Sequence, residues 1–228
     1  MNRRFGLQIG QRFVHQFENL LKELLKIHYA ALFTKKMCYF CSKITPMYGG
    51  IKMKFNEDKA INAVLYIVEN LIRKDFHKIF KILYFSDREH LNLYGRTITG
   101  DIYIAMYDGP VPSNLYDIFK SVRGDGYYKD NGRFGRFFSV EDWDLIKPNS
   151  RADLDELSKT DIMCINNSLE AYGNMSFEEI KDKSHDYAWI STPENRTIDF
   201  ADIIREMGGE DDFIDYVREQ SVFSELLN

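Results

Sequence analysis

The sequence predicts an α+β fold that is mostly α, a helical domain with a small antiparallel β element. Apolar residues recur at helical spacing in most segments after Met53, capping residues precede several of these segments, and only short runs of β-forming residues interrupt them. The length of 228 residues fits one domain, or one domain with an appendage. An apolar fraction of 44% and a charged fraction of 29% are typical of folded proteins and exclude a disordered chain.

Charge divides the chain at about residue 52. Residues 1–52 contain nine lysines and arginines and two acids, a net charge of +7, so the overall charge of −5 leaves −12 for residues 53–228. We therefore predict a basic N-terminal extension over 1–52 and a folded domain over 53–228. The extension is interpreted as upstream sequence ahead of a true start at Met53. The alternative is a basic arm for nucleic acid, and apolar spacing over 11–33 predicts an amphipathic helix in it.

Cysteine use and hydropathy bear on location. Three cysteines are too few for a disulfide scaffold, so the cytoplasm is the predicted location. The one CxxC, from Cys38 to Cys41, lacks a second pair of ligands, and no metal or cofactor site is predicted. Since no apolar run approaches the ~18 residues needed to cross a bilayer, no membrane span is predicted.

Two helices are predicted at the start of the domain. Asn56 is a candidate cap for a helix that runs to about Arg73. A second helix runs from about Phe76 to Tyr94 and ends at Gly95. Asp87 and His90 fall on its apolar face, one turn apart. Either this face opens into a cleft, or the two side chains satisfy each other and nearby backbone groups.

The β element follows. The run 102–106 is rich in β-forming residues and predicts a short strand, which the prolines of 108–112 are expected to break. Ser113 is then the candidate cap of a helix over 114–120. A second β pair is predicted within 137–146, ending at Pro148.

The last third of the domain is predicted to be helical. Ser158 with Asp161, and Ser176 with Glu179, have the spacing of capping boxes, and each pair precedes a helical pattern. Further helices are predicted over 200–207, capped by Asp199, and over 212–227.

Three motifs resemble the Panacea domain, a family that includes SocA-like antitoxins and phage-associated GepA-like proteins. Residues 82–101, with the letters ILYFSDREHLNLYGRTITGD, are similar to its signature. Residues 103–117 contain a G-P-V-P-S-x-L-Y element, and residues 184–189 an S-H-D-x-x-W element. All three occur in the order expected for the family, between about residues 53 and 190.

The resemblance implies an interaction protein without enzymatic activity, an antitoxin of a bacterial or phage toxin–antitoxin module. Its implied partner is a cognate toxin protein that it neutralises by direct binding; a cytosolic protease is a second implied partner, because at least one relative acts as a protease adaptor. The residues that carry the resemblance, and are candidates for family-motif or partner-binding roles, are Asp87, His90, Tyr94, Gly95, Gly100, Asp101, Gly109, Pro110, Pro112, His185 and Trp189.

Two other functions compete with this interpretation. Asp87, His90 and His185 contain the residue types of a hydrolase or metal site, although a buried polar pair is the preferred interpretation and no activated nucleophile is evident. A phage-associated regulatory or nucleic-acid-binding protein would use the basic extension. Nucleic acid is not predicted as a partner of residues 53–228, because their charge of −12 opposes phosphate binding. Tyr103, Tyr107, Tyr127 and Tyr128 are candidate contacts for a protein partner, with packing in the core or a hairpin as the alternative.

Overall fold

The computed structural model of the chain describes residues 50–127 and 129–226, with side chains to Phe223. Nearly all of the predicted extension, including its helix and its CxxC, lies outside these residues. The helices are α1 (Glu57–Asn70), α2 (Phe76–Tyr94), α3 (Ser113–Arg123), α4 (Lys159–Tyr172), α5 (Phe177–Ser184), α6 (Tyr187–Ile190), α7 (Phe200–Glu206) and α8 (Asp211–Leu226). The strands are β1 (Tyr103–Met106), β2 (Gly109–Pro112), β3 (Phe138–Glu141) and β4 (Leu145–Pro148).

This architecture confirms the predicted mostly α, α+β fold. Each described sheet has two antiparallel strands: β1 pairs with β2, and β3 pairs with β4 as predicted. A single-turn 3-10 helix, Leu154–Glu156, precedes α4. No helix within the described ranges is both long enough and apolar enough to cross a membrane.

The predicted helix caps at Asn56, Ser158 and Ser176 are confirmed. Asn56 accepts a hydrogen bond from the backbone N–H of Lys59 at 3.0 Å. Ser158 with Asp161 forms a complete capping box at the start of α4, and Ser176 with Glu179 does the same for α5. Helix α1 ends at Asn70, somewhat before the predicted end, because Leu71 already adopts extended backbone geometry.

Helix α2 is the centre of the core. It contacts α1, α4, α5, α7 and strand β2, so side chains on most of its circumference are buried. The buried set includes the polar residues Lys78, Lys81, Asp87 and His90. The helix ends as predicted at Gly95, whose φ of 69° is the left-handed conformation that glycine adopts without strain.

The segment expected to break the β element is instead strand β2. Ser113 donates its N–H to the carbonyl of Ile102 at 2.9 Å. Since residues two apart in a strand share an edge, Val111 and Gly109 also direct their N–H groups toward β1. The backbone nitrogens of Pro110 and Pro112, which carry no hydrogen, therefore face away from β1. No hydrogen bond between the two strands is lost.

Helix α3 begins at Ser113 and lacks the predicted serine cap. Its N-cap residue is Pro112, which has no side-chain capping bond. Asp101 caps the helix from a distance: its carboxylate accepts from the N–H groups of Asn114 at 3.0 Å and Leu115 at 2.9 Å. The cap prediction was wrong because it considered only neighbouring residues.

Candidate interaction site

Asp87 lies in a fully buried polar pocket beside the start of β1. Its carboxylate accepts hydrogen bonds from the N–H of Ile98 at 2.7 Å, the hydroxyl of Thr99 at 3.0 Å and the phenol of Tyr103 at 2.8 Å. Burial raises the pKa of Asp87 to about 6, although these hydrogen bonds oppose the shift. The carboxylate therefore joins α2 to the segment that leads into β1.

His90 belongs to a different polar cluster. Its Nδ1 lies 2.8 Å from the carbonyl oxygen of Arg96, and its Nε2 lies 3.0 Å from a carboxylate oxygen of Asp161. Lys59 also pairs with Asp161, at 2.6 Å. Hydrogen bonds from His90, Lys59 and Ser158 hold the pKa of Asp161 far below its usual value, despite burial. The cluster joins α1, α2 and α4.

The structure therefore separates the three residues of the hypothetical catalytic or metal site. The prediction that Asp87 and His90 satisfy each other was wrong, because each has its own set of partners on other elements. His185 lies in a third place, stacked on Trp189 with ring centroids 3.7 Å apart. Within residues 50–127 and 129–226, no group of three or more His, Cys, Asp or Glu side chains is arranged to hold a metal ion.

The second and third sequence motifs meet at the β1–β2 hairpin. Lys81 of α2 is 1% exposed and donates from its amine to the carbonyl of Pro110 at 2.9 Å. Gly109 has a φ of 99°, and a Cβ there would meet the Ser184 hydroxyl and lie 2.9 Å from the Lys81 amine. This close packing of α2 and α5 around β2 requires glycine.

The aromatic residues of the third motif hold the other side of the hairpin. Trp189 donates its indole N–H to the carbonyl of Met106 at 2.9 Å, and His185 stacks on the indole at an interplanar angle of 3°. Burial, followed by the charges of Lys81 and Lys181, lowers the pKa of His185. Its buried Nε2 has no hydrogen-bond partner among the described residues.

Asp108, in the hairpin turn, is fixed from two helices. Its carboxylate pairs with Lys181 at 3.0 Å, and its carbonyl oxygen lies 3.2 Å from Nε2 of His77. Burial, then the charge of Lys81, lowers the pKa of His77 to about 4. The Lys181 amine also lies 4.8 Å from the ring centroid of Tyr107.

Most of the predicted site residues are buried. Among the eleven, Tyr94 alone is exposed, at 43%, and its ring lies 4.6 Å from that of His90. The exposed side chains around the hairpin are instead Tyr107, Ile190 and Tyr187, at 72%, 69% and 50% exposure. We call these three side chains and Lys181 the hairpin surface.

Sequence reasoning missed Lys81, His77 and Ile190. A signal for Lys81 was available: it is the one charged residue in the run FKILYF, residues 80–85, which is apolar around the whole helix. Such a helix is buried on all sides, so its lysine had to enter the core.

The buried Lys81 amine makes stability depend on pH. Burial lowers its pKa from 10.5 to about 7, so above pH 7 the unfolded chain binds more protons than the folded one and stability rises with pH. We expect the unfolding free energy of the protein, relative to Lys81→Met, to rise by about 2–3 kcal/mol between pH 7 and pH 9.5. Urea denaturation at several pH values measures it. Lys147→Met, at an exposed lysine, is the control: its unfolding free energy should change with pH as that of the unmodified protein does. Equal changes with pH for Lys81→Met and the unmodified protein would contradict the expectation.

Comparison with known proteins gives one match. The family model described as antitoxin SocA-like, Panacea domain, matches residues 79–190, which run from α2 through α6 and include all three sequence motifs. No curated protein and no solved structure matches the chain.

Proposed function

Because the chain carries a SocA-like Panacea domain over residues 79–190, we propose that it is the antitoxin of a bacterial or phage toxin–antitoxin module and neutralises its cognate toxin by direct binding. One observation carries the proposal beyond the family match. The second motif contains the β1–β2 hairpin, which Lys81 of α2, Lys181 of α5 and Trp189 of α6 hold against three helices, while Tyr107 at its turn faces solvent.

A hairpin held in this way suits a protein contact. Its backbone is anchored through Pro110 by Lys81 and through Met106 by Trp189, so little conformational entropy remains to be lost on binding. Tyr107 and Ile190 provide large side chains at the surface, and aromatic residues are concentrated among the energetic centres of interfaces.

Charge favours a protein partner over nucleic acid. Residues 53–228 carry −12, which repels a phosphate backbone and steers a partner with a basic surface toward the domain. The buried polar residues are used differently from those of an enzyme: Asp87, His90 and His185 each contact a separate part of the fold. The proposal accordingly assigns the domain no catalytic step.

The hairpin surface gives the direct test. The double variant Tyr107→Ala/Ile190→Ala is expected to fold normally, because both side chains are exposed, and to bind the toxin encoded by the neighbouring gene at least tenfold more weakly. Calorimetry with the purified proteins measures the affinity of antitoxin for toxin. Co-expression of the two measures relief of growth arrest.

Ile72→Ala is the control, because Ile72 is 94% exposed and lies before the matched residues. Unchanged affinity and unchanged relief of growth arrest in the double variant would contradict the hairpin assignment. Measuring toxin half-life in the same cells separates two mechanisms: stoichiometric binding leaves it unchanged, whereas a protease adaptor shortens it.

A further inference from the structure

Exposed apolar side chains lie at the end of α2 and on α8. Leu93 is 52% exposed, and Tyr216 of α8 is exposed to the same extent. The two elements touch at Gly95, where a Cβ would lie 3.5 Å from Cε1 of Tyr216 and 3.4 Å from Cγ2 of Val217. The end of α2 therefore lies against α8 at Gly95, two residues after Leu93.

Helix α8 has two opposite faces. Ile214 and Val217 are buried, at 1% and 0% exposure, and attach the helix to the core. The opposite face contains Asp212, Tyr216, Glu219 and Phe223, at the spacing i, i+4, i+7 and i+11 that puts four residues in one row. Phe223 is 50% exposed. We call this row the α8 row; along it, acids and aromatic rings alternate.

The segment that contains most of this row is strongly acidic. Residues 199–219 contain eight acids and two arginines, a net of −6, half the charge of residues 53–228. Both arginines are already paired within the segment, Arg205 with Asp202 at 3.0 Å and Arg218 with Asp215 at 2.6 Å. The carboxylates of Asp212 and Glu219 have no cationic partner among the side chains that the structure describes.

We infer that the α8 row and the end of α2 form a docking surface for a basic amphipathic helix of a protein partner. Lysines or arginines on such a helix pair with Asp212 and Glu219, and its apolar residues pack on Tyr216, Phe223 and Leu93. Helix α8 follows the residues that the family model matches, so the α8 row adds a partner contact outside the matched residues. The inference deepens the proposed function, on which it rests only for identifying the partner as the toxin.

A synthetic peptide tests the surface without the toxin. The probe is a fluorescent Leu/Lys peptide of about 18 residues, long enough for about five helical turns, with one apolar and one basic face. Anisotropy with the full chain is expected to show binding that weakens as salt rises. The variant Tyr216→Ala/Glu219→Lys should reduce affinity at least tenfold, and a Leu/Glu peptide of the same pattern should bind at least tenfold more weakly.

The control makes the same kinds of change elsewhere. Leu154→Ala/Glu156→Lys removes a side chain that is 50% exposed and reverses a charge on the 3-10 helix, and it should leave peptide affinity unchanged. If the α8 variant unfolds early in a thermal scan, Asp212→Lys/Glu219→Lys, which keeps the aromatic rings, replaces it. Equal losses in the α8 and control variants, no loss in the α8 variant, or equal binding of both peptides would overturn the inference. None of these outcomes changes the hairpin test with the toxin, so the two proposals fail separately.

Discussion

Replacing Asp87 with alanine is expected to lower the free energy of unfolding by about 3–5 kcal/mol. The substitution leaves the phenol of Tyr103, the hydroxyl of Thr99 and the N–H of Ile98 without their acceptor in a site closed to water. Each unsatisfied buried donor costs about 1–3 kcal/mol, so the losses add to a large fraction of a typical domain's stability. Urea denaturation followed by circular dichroism measures the change.

Glu89→Ala, on the same helix, is the control for Asp87→Ala. Glu89 accepts one exposed hydrogen bond from Asn167 at 2.7 Å, so its loss should cost only about 0.5 kcal/mol. Adding Tyr103→Phe to Asp87→Ala should recover part of the loss, since it removes one of the abandoned donors. If Asp87→Ala costs no more than Glu89→Ala, the assigned role of the carboxylate is wrong.

Gly100→Ala is the second substitution with a large expected effect, a loss of about 3 kcal/mol or more. The φ of Gly100 is 71°, which costs an alanine about 1–2 kcal/mol. Its Cβ would also collide with the carbonyl oxygen of Lys54 and lie 2.6 Å from the carbonyl carbon. This backbone is held in place, because Asn56 donates its N–H to the carbonyl of Thr99 at 2.8 Å. Relieving the collision therefore breaks the contact between the start of α1 and the segment before β1.

Gly124→Ala separates the two causes. Gly124 has a φ of 95° with nothing within 4 Å of an added Cβ, so alanine there meets backbone strain without a collision. Thermal unfolding of the two variants should give a clearly larger loss for Gly100→Ala. Equal losses would attribute the whole effect to backbone conformation and would contradict the close approach of Lys54.

The family was predictable from residues close together in sequence. Three motifs in order predicted a resemblance to the Panacea domain, and the family model that matches residues 79–190 confirms that resemblance. The predicted span began near residue 53, earlier than the match. The separation of the basic extension from the domain at residue 52 stays a prediction.

The errors arose where a side chain's partner lies far away in the sequence. Asp87 and His90 are one turn apart, and the natural prediction paired them. Asp87 instead binds Tyr103 and His90 binds Asp161, partners on other elements. The hairpin surface was likewise only partly predicted: Tyr107 was a candidate contact, but Ile190 joins it because Trp189 reaches the carbonyl of Met106.

The sequence alone determined the helices and the caps made by neighbours, such as Asn56 and the two serine capping boxes, because propensity, period and capping act within one or two turns. Tertiary structure alone decided that Asp101 caps α3, that Lys81 is buried against Pro110 and that two prolines fit in a strand. These outcomes depend on which buried donor meets which acceptor across the core. That pairing is settled only when distant segments pack and every desolvated polar group must find a partner.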